Sequence, residues 1–215
     1  MSNYEYIIAS LPYLTLDYKY AEGTGFGKVQ EEIERDLSER DRAVLAFLLK
    51  GFDGEQLNAD FYAEALRHKN RFLREYFRFD LNLRNAKVRY LNAQLGRQEE
   101  LDVMTGKGDD DSTDGLDIDL YRFTGGEFEE GGKVAQALEQ KDLLTRERDL
   151  DEILWKKVDT LATFHYFDMT AVLAYVAKLH IVDRWLSLDE ESGREMFRKL
   201  VGEVKGTFKG VKYEA

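Results

Sequence analysis

Between Phe72 and Tyr90, apolar and aromatic residues recur at steps of four and three: Phe72, Tyr76, Phe79, Leu83, Ala86 and Tyr90. A second stripe, Leu73, Phe77, Val88, Leu91 and Leu95, runs beside the first and is interrupted by Asp80. This spacing predicts a helix whose apolar face is wide enough for more than one neighbour. The pattern reaches back through Tyr62 and Ala65, so one helix, or two joined end to end, is expected over 57–95. At 1.5 Å per residue a single rod over that span is roughly 58 Å long, more than a compact chain of this size is wide.

Shorter amphipathic runs flank the rod. Tyr4 to Ala9 alternates weakly and reads as a short strand or, by preference, the first turns of a helix, and Tyr18 to Gly27 reads as a polar, glycine-rich loop. Lys28 to Leu37 reads as a helix through Val29, Ile33 and Leu37. Ser38-Glu39-Arg40-Asp41 has the form of a capping box, with Ser38 as N-cap and Asp41 as its acidic partner. It opens a helix through Val44, Leu45 and Leu48, which Gly51 is expected to close because a residue without Cβ suits a C-terminal cap. Asp53 then recaps the chain for the rod. From Met104 to Gly132 the periodicity disappears among seven glycines and a dense acidic run, which reads as a loop or linker, with a short strand near Leu116 to Phe123. Helix resumes at Lys133. Leu150, Leu154, Val158 and Leu161 form one stripe, Asp168 caps a helix from Met169 to Leu186, and Ser187-Leu188-Asp189-Glu190 caps a last helix through Met196, Phe197, Leu200 and Val204.

The expected fold is all-α, a long-helix bundle of six to eight helices. Two related helical halves, 1–103 and 133–215, are joined by the Gly/Asp-rich segment 104–132. Composition agrees with this. Pro12 is the single proline, so the principal helix breaker is missing from the rest of the chain. Apolar residues make up 43%, enough to bury a sizeable core. There is no cysteine, hence no disulfide and no thiol chemistry, which fits a reducing cytoplasm. The start of the chain lacks a signal peptide's basic region, and no stretch approaches 18 apolar residues. A net charge of −11 disfavours nucleic acid and anionic lipid, so membrane association is expected only through a protein partner.

Four patterns suggest chemistry and each has a plainer reading. Gly23-Thr24-Gly25-Phe26-Gly27-Lys28 fails both the Walker spacing and the dinucleotide fingerprint, and reads as flexible loop. Asp110-Asp111-Ser112-Thr113-Asp114 matches the D-D-x-x-D pattern of all-α prenyl-diphosphate enzymes. Glycines at 106, 108 and 115 fence it, however, whereas that motif needs a helix to bring its carboxylates together on Mg²⁺. As a calcium loop the same run puts Tyr121 where a bidentate Glu is required. His68, His165 and His180 lack metal-ligand spacing, and His165 in Phe164-His165-Tyr166-Phe167 reads as a structural histidine at a helix end. No catalytic residue, cofactor site or metal site is assigned, and the chain is expected not to be an enzyme. Asp80, Arg84 and Arg89 fall near one side of the rod, where Asp80 and Arg84 form an i,i+4 pair. Arg84, Asn85 and Arg89 are the candidate partner contacts.

Three stretches, taken in order, resemble one family. Tyr4-Glu5-Tyr6-Ile7-Ile8-Ala9-Ser10-Leu11 is similar to the aromatic-rich start of the central-stalk subunit of V/A-type ATPases, called C in prokaryotes and d in eukaryotes. Tyr76-Phe77-Arg78-Phe79-Asp80-Leu81-Asn82-Leu83-Arg84-Asn85 resembles its helix with an aspartate shortly before Leu-Arg-Asn. Phe167, Val172-Leu173-Ala174-Tyr175 and Lys178, followed by Leu188-Asp189-Glu190-Glu191 and Arg194, resembles its repeat unit. The chain looks closer still to a shorter bacterial family associated with V-type ATPase operons. Two departures stand out. The length suits about two of the stalk subunit's three helical modules, and Lys178-Leu179-His180-Ile181-Val182-Asp183 replaces the Lys-Glu-x-Glu expected after Leu-Ala-Tyr.

The resemblance implies a non-catalytic rotor-coupling subunit on the cytoplasmic side, peripheral to the inner face of the cell membrane. Its partners would be the shaft and membrane-ring subunits, and the machine would move ions, protons among them. The alternatives are a helical adaptor or regulator unrelated to the ATPase, and a small all-α Mg²⁺ enzyme using the aspartates at 110–114.

Overall fold

The computed structural model of the protein describes residues 3–104 and 128–188. They form eight α-helices and, among the described residues, no strand. In chain order these are α1 (Tyr4–Ser10), α2 (Phe26–Asp36), α3 (Glu39–Lys50), α4 (Ala59–Arg67), α5 (Arg71–Gln94), α6 (Gly131–Leu138), α7 (Leu143–Leu161) and α8 (Met169–Ser187). Short polar side chains start six of them, each accepting a backbone N–H of the first turn and so satisfying one of the donors that a helix leaves unpaired. The pairs are Asn3 with Tyr6, Ser38 with Asp41, Asn58 with Phe61, Asn70 with Leu73, Asp142 with Thr145, and Asp168 with Ala171. The caps expected at Ser38 and Asp168 are in place. Ser38 Oγ also donates to Asp41 Oδ2 at 2.6 Å, and Tyr4 Oη reaches the same oxygen at 2.9 Å, which pins α1 to the start of α3.

The rod over 57–95 is two helices. Its break lies at His68-Lys69-Asn70, where His68 takes an extended ψ of 141° and Asn70 starts the chain afresh. Arg74 Nη1 donates to the carbonyls of His68 and Lys69, holding the corner shut. Neither glycine nor proline marks this corner, so apolar periodicity runs straight through it. Asp53 caps only the short 3-10 turn Gly54–Gln56, and Asn58 and Asn70 do the work assigned to it. Gly51 does follow α3, but for a different reason: its backbone is right-handed (φ −73°), so no left-handed cap is formed. A Cβ there would lie 2.2 Å from Phe77 Cε1. Helix α6 starts at Gly131, inside the segment expected to be loop, with Phe128 already buried before it. The strand expected near 116–123, the aspartates at 110–114 and the last helix through Val204 lie outside the described residues.

Helix α5, 24 residues and about 36 Å long, runs through the interior. The first predicted stripe is buried from Phe72 to Ala86, and Leu73 and Phe77 bury the second. The second stripe then surfaces, with Leu91 and Leu95 both exposed. α4 packs back on α5, while α6 and α7 cover its other sides. α8 is apolar nearly all round and packs against α1, α2, α3 and α7. The two halves expected from the sequence therefore meet in one core. Ring pairs tie that core together. Phe61 and Phe77 lie edge to face at 4.9 Å, Phe47 stacks on Phe61 at 5.3 Å, and Tyr76 meets Phe77 at 5.2 Å. Each adds about 1 kcal/mol beyond simple burial.

Candidate functional site

Two polar assemblies sit on the long helices, and the predicted residues Arg84, Asn85 and Arg89 divide between them. The first surrounds the middle of α5 and the second half of α8. Asp80 Oδ2 accepts the Tyr62 hydroxyl at 2.5 Å and Arg84 Nε at 2.8 Å. On α7, buried Asp151 accepts both a forked contact from Arg184 Nη2 and the Trp185 indole N–H, the latter at 2.6 Å. Tyr76, itself buried, lies within the field of both Asp–Arg pairs. His180 lies among Arg184, Asp183, Asp80 and Arg84, with its ring stacked on Phe52 at 3.9 Å and edge-on to Phe26 at 6.2 Å. Asp183 accepts the hydroxyl of Tyr20 at 3.2 Å.

Burial and nearby charge move the titration of these groups away from neutral pH. Burial first, then the nearby aspartates, push the Tyr62 and Tyr20 hydroxyls above their ordinary range, and burial does the same for Tyr76. Burial, helped by Arg184, lowers the His180 imidazole to about 4. Burial also works against the charge on Arg84, but Asp80 outweighs it and raises the guanidinium further. At pH 7 the tyrosines keep their protons, His180 is neutral, and each arginine has a carboxylate. Such groups bind helices together and are poorly suited to relaying protons.

The second assembly is a clasp. Gly96, at φ +64°, ends α5, and the N–H groups of Gly96 and Arg97 return to the carbonyls of Ala93 and Asn92 at 3.2 and 2.9 Å. This is the Schellman closure, which needs a left-handed residue at the glycine and reverses the chain. The returning segment runs back along α5, gripped by residues spaced three and four apart. Asn92 Nδ2 donates to the carbonyls of Glu99 and Leu101 at 3.1 and 2.6 Å. Arg89 forms a two-pronged pair with Glu100, both bonds 3.0 Å. Asn85 donates to the Met104 carbonyl at 2.9 Å and accepts its N–H at 3.0 Å.

Asp80 and Arg84 pair as expected. Arg89 lies five residues on, round the helix from Arg84, and turns to Glu100 instead. Asn85 and Arg89 are 2% and 6% exposed, so they are spent inside the chain, whereas the Arg84 side chain remains 42% exposed. Of the three predicted contacts, Arg84 is the one left facing outward. His165 Nδ1 lies 2.5 Å from Asp168 Oδ2 at the start of α8, the structural role expected of it. The Gly23–Lys28 run, expected to be loop, holds Gly23 at φ +73°, then starts α2 at Phe26 and packs that half-buried ring against Phe52 and His180.

Sequence reasoning missed Tyr62, Asp151, His180 and Trp185. The available signal was an acid beside an apolar stripe, Asp151 after Leu150, where a buried carboxylate needs donors from a neighbouring helix. No groups of histidine, aspartate and glutamate able to hold a metal occur among the described residues. No described helix is long and apolar enough to cross a membrane.

A family model matches residues 53–207, the greater part of the chain. The chain belongs to the family described as protein of unknown function (DUF2764). Its matched span opens at the Asp53 cap and takes in α4 to α8, hence both assemblies except Tyr20 and the two rings Phe26 and Phe52 that meet His180. Helices α1 to α3 precede it apart from their packing on α8. No curated protein and no solved structure matches the chain.

Proposed function

We propose that this chain is a non-catalytic coupling subunit of a V/A-type rotary ATPase, joining the shaft to the membrane ring. The family resemblance of the three sequence stretches supplies the identity of the machine. The observation that carries the mechanical role is the fixing of α5. Its interior length is packed by α4, α6 and α7, tied through Asp80 to Tyr62, and clasped at its end by Asn85, Arg89 and Asn92. Closely packed interiors transmit strain because their atoms have little room to give. Ion pairs between α7 and α8 and between α5 and α7 (Asp151–Arg184, Lys178–Asp159, Lys87–Glu147) oppose sliding of one helix past another. A force applied at one end of such a body reaches the other with little local yielding.

In this reading the protein works on the cytoplasmic side and touches the membrane through its protein partners. No residue is given a catalytic role. The test is an affinity pull-down of the tagged chain from gently solubilised membranes of its source, read by mass spectrometry. Recovery of the ATPase catalytic and shaft subunits supports the role. A bait free of them, from membranes shown to contain the assembly, rejects it in favour of an unrelated helical adaptor.

A further inference from the structure

Helix α8 stops short of its two neighbours. It runs antiparallel to α7, since Lys178 meets Asp159, Arg184 meets Asp151 and Trp185 lies beside Arg148. α7 in turn runs antiparallel to α5, since Lys157 lies over Phe79 and Lys87 meets Glu147. Leu188, one turn beyond Arg184, is therefore level with Glu147 on α7 and Lys87 on α5. From that level α5 continues to Gln94, roughly 10 Å, and α7 reaches back to Leu143, roughly 6 Å. The faces left uncovered there are apolar. On α5, Asp80 and Arg84 turn toward His180 of α8. The same face continues at steps of four and three through Val88 to Leu91 and Leu95, which are 53% and 61% exposed. On α7, Leu144 lies four and seven positions before Arg148 and Asp151, the residues that meet α8, and is 63% exposed. Leu143, equally exposed, stands four before Glu147, on the side of α5. α8 would cover Leu91, Leu95 and Leu144 if it ran further, but it breaks at Leu188, whose ψ of 77° lies outside the helical range.

Large apolar side chains grouped in this way mark a surface that something covers. Charge does not choose the occupant, because the exposed residues around the patch carry both signs: Arg97 and Lys141 against Glu99, Glu139 and Asp142. Connectivity does choose. The chain leaves α8 at the edge of this patch, and Leu188 itself is 62% exposed. Ser187-Leu188-Asp189-Glu190 reads as a capping box for a helix in which Met196, Phe197, Leu200 and Val204 share one face. We propose that residues 189–204 continue past Leu188 as an amphipathic helix that seats Met196, Phe197 and Leu200 on Leu91, Leu95 and Leu144. The reach is right: a helix from Leu188 to Met196 spans roughly 12 Å, close to the length by which α5 outruns α8. Tethering favours this occupant over a second copy or another protein, because a segment attached so near is present at an effective concentration on the order of millimolar. The contact is independent of the coupling role, since it forms within the isolated chain.

The test uses the purified full chain with Leu95 replaced by a photo-crosslinking phenylalanine and the adducts mapped to individual peptides. One dominant intramolecular adduct is expected, between Arg194 and Lys205, with a yield unchanged by about tenfold dilution. The same probe at Phe164, beyond the far end of α8 and roughly 28 Å away, gives no such adduct, which separates seating from chance encounters of a tethered segment. Met196→Asp, Phe197→Asp and Leu200→Asp combined lower the Leu95 adduct about tenfold or more, and Leu91→Asp with Leu144→Asp does the same from the other side. Both variants hasten amide exchange at 189–204 while the buried amides of α5 keep their protection, so lost seating is told from unfolding. An adduct confined to a second copy, and falling with dilution, overturns the proposal. So do equal yields from the probes at 95 and 164, an unchanged yield in either variant, and the absence of any adduct.

Discussion

Gly51 illustrates how one residue type can serve a purpose that its position does not advertise. A glycine after a helix suggests a left-handed cap, yet here the missing Cβ makes room for the Phe77 ring, which lies fully buried beneath it. Gly51→Ala should therefore lower stability by about 1–3 kcal/mol, the usual cost of overpacking a filled core, and show as a reduced urea midpoint at unchanged slope. His180 makes a second single-residue prediction. Its pKa falls from the ordinary 6.5 to about 4 on folding, so the unfolded chain binds the proton more readily. Stability is then fully present above pH 6.5 and is lost as pH falls toward 4. The loss at pH 5 is about 2 kcal/mol. Urea midpoints at pH 7.5 and 5 measure it, and His180→Gln should shrink the difference. The variant is needed as a control because His68 is also lowered by burial and adds the same sign. Neither prediction was legible in the sequence, since both depend on which rings face a residue across the core.

At the scale of elements, sequence reading succeeded where a local rule acts alone. Ser38 and Asp168 were found because a cap is a side chain bonding its own chain three residues on. The stripe from Phe72 to Ala86 was found because burial on one face imposes a period. Two helices joined end to end were one of the two readings, but the corner at 68–70 was not located, because no glycine or proline marks it and the apolar rhythm carries on through α4 and α5. The clasp was half legible. Asn85 and Arg89 stood out as polar residues on an apolar helix, but their partners, Met104 and Glu100, become neighbours only after the reversal at Gly96. Asn85→Ala should release this return segment. Loss of both bonds to Met104 costs about 1–2 kcal/mol locally. Amide exchange should accelerate at 99–104 while the buried amides of α8 change much less, a local opening rather than global loss.

At the scale of the whole molecule, two helical halves became a single core because α8, apolar round most of its circumference, needs cover that α7 alone cannot give and finds it in α1, α2 and α3. Periodicity reveals that such a helix is buried and cannot say by which neighbours. The proposed coupling role likewise rests on arrangement rather than on any single side chain, so no point substitution tests it as sharply as removal of the protein. The most direct measurement compares ATP hydrolysis with ATP-driven ion uptake in inverted membrane vesicles from cells with and without this chain. Coupling predicts that vesicles lacking it still hydrolyse ATP but lose ion uptake, and that adding back the purified protein restores it. Undiminished uptake, in vesicles shown to contain the ATPase and to lack this chain, would contradict the account.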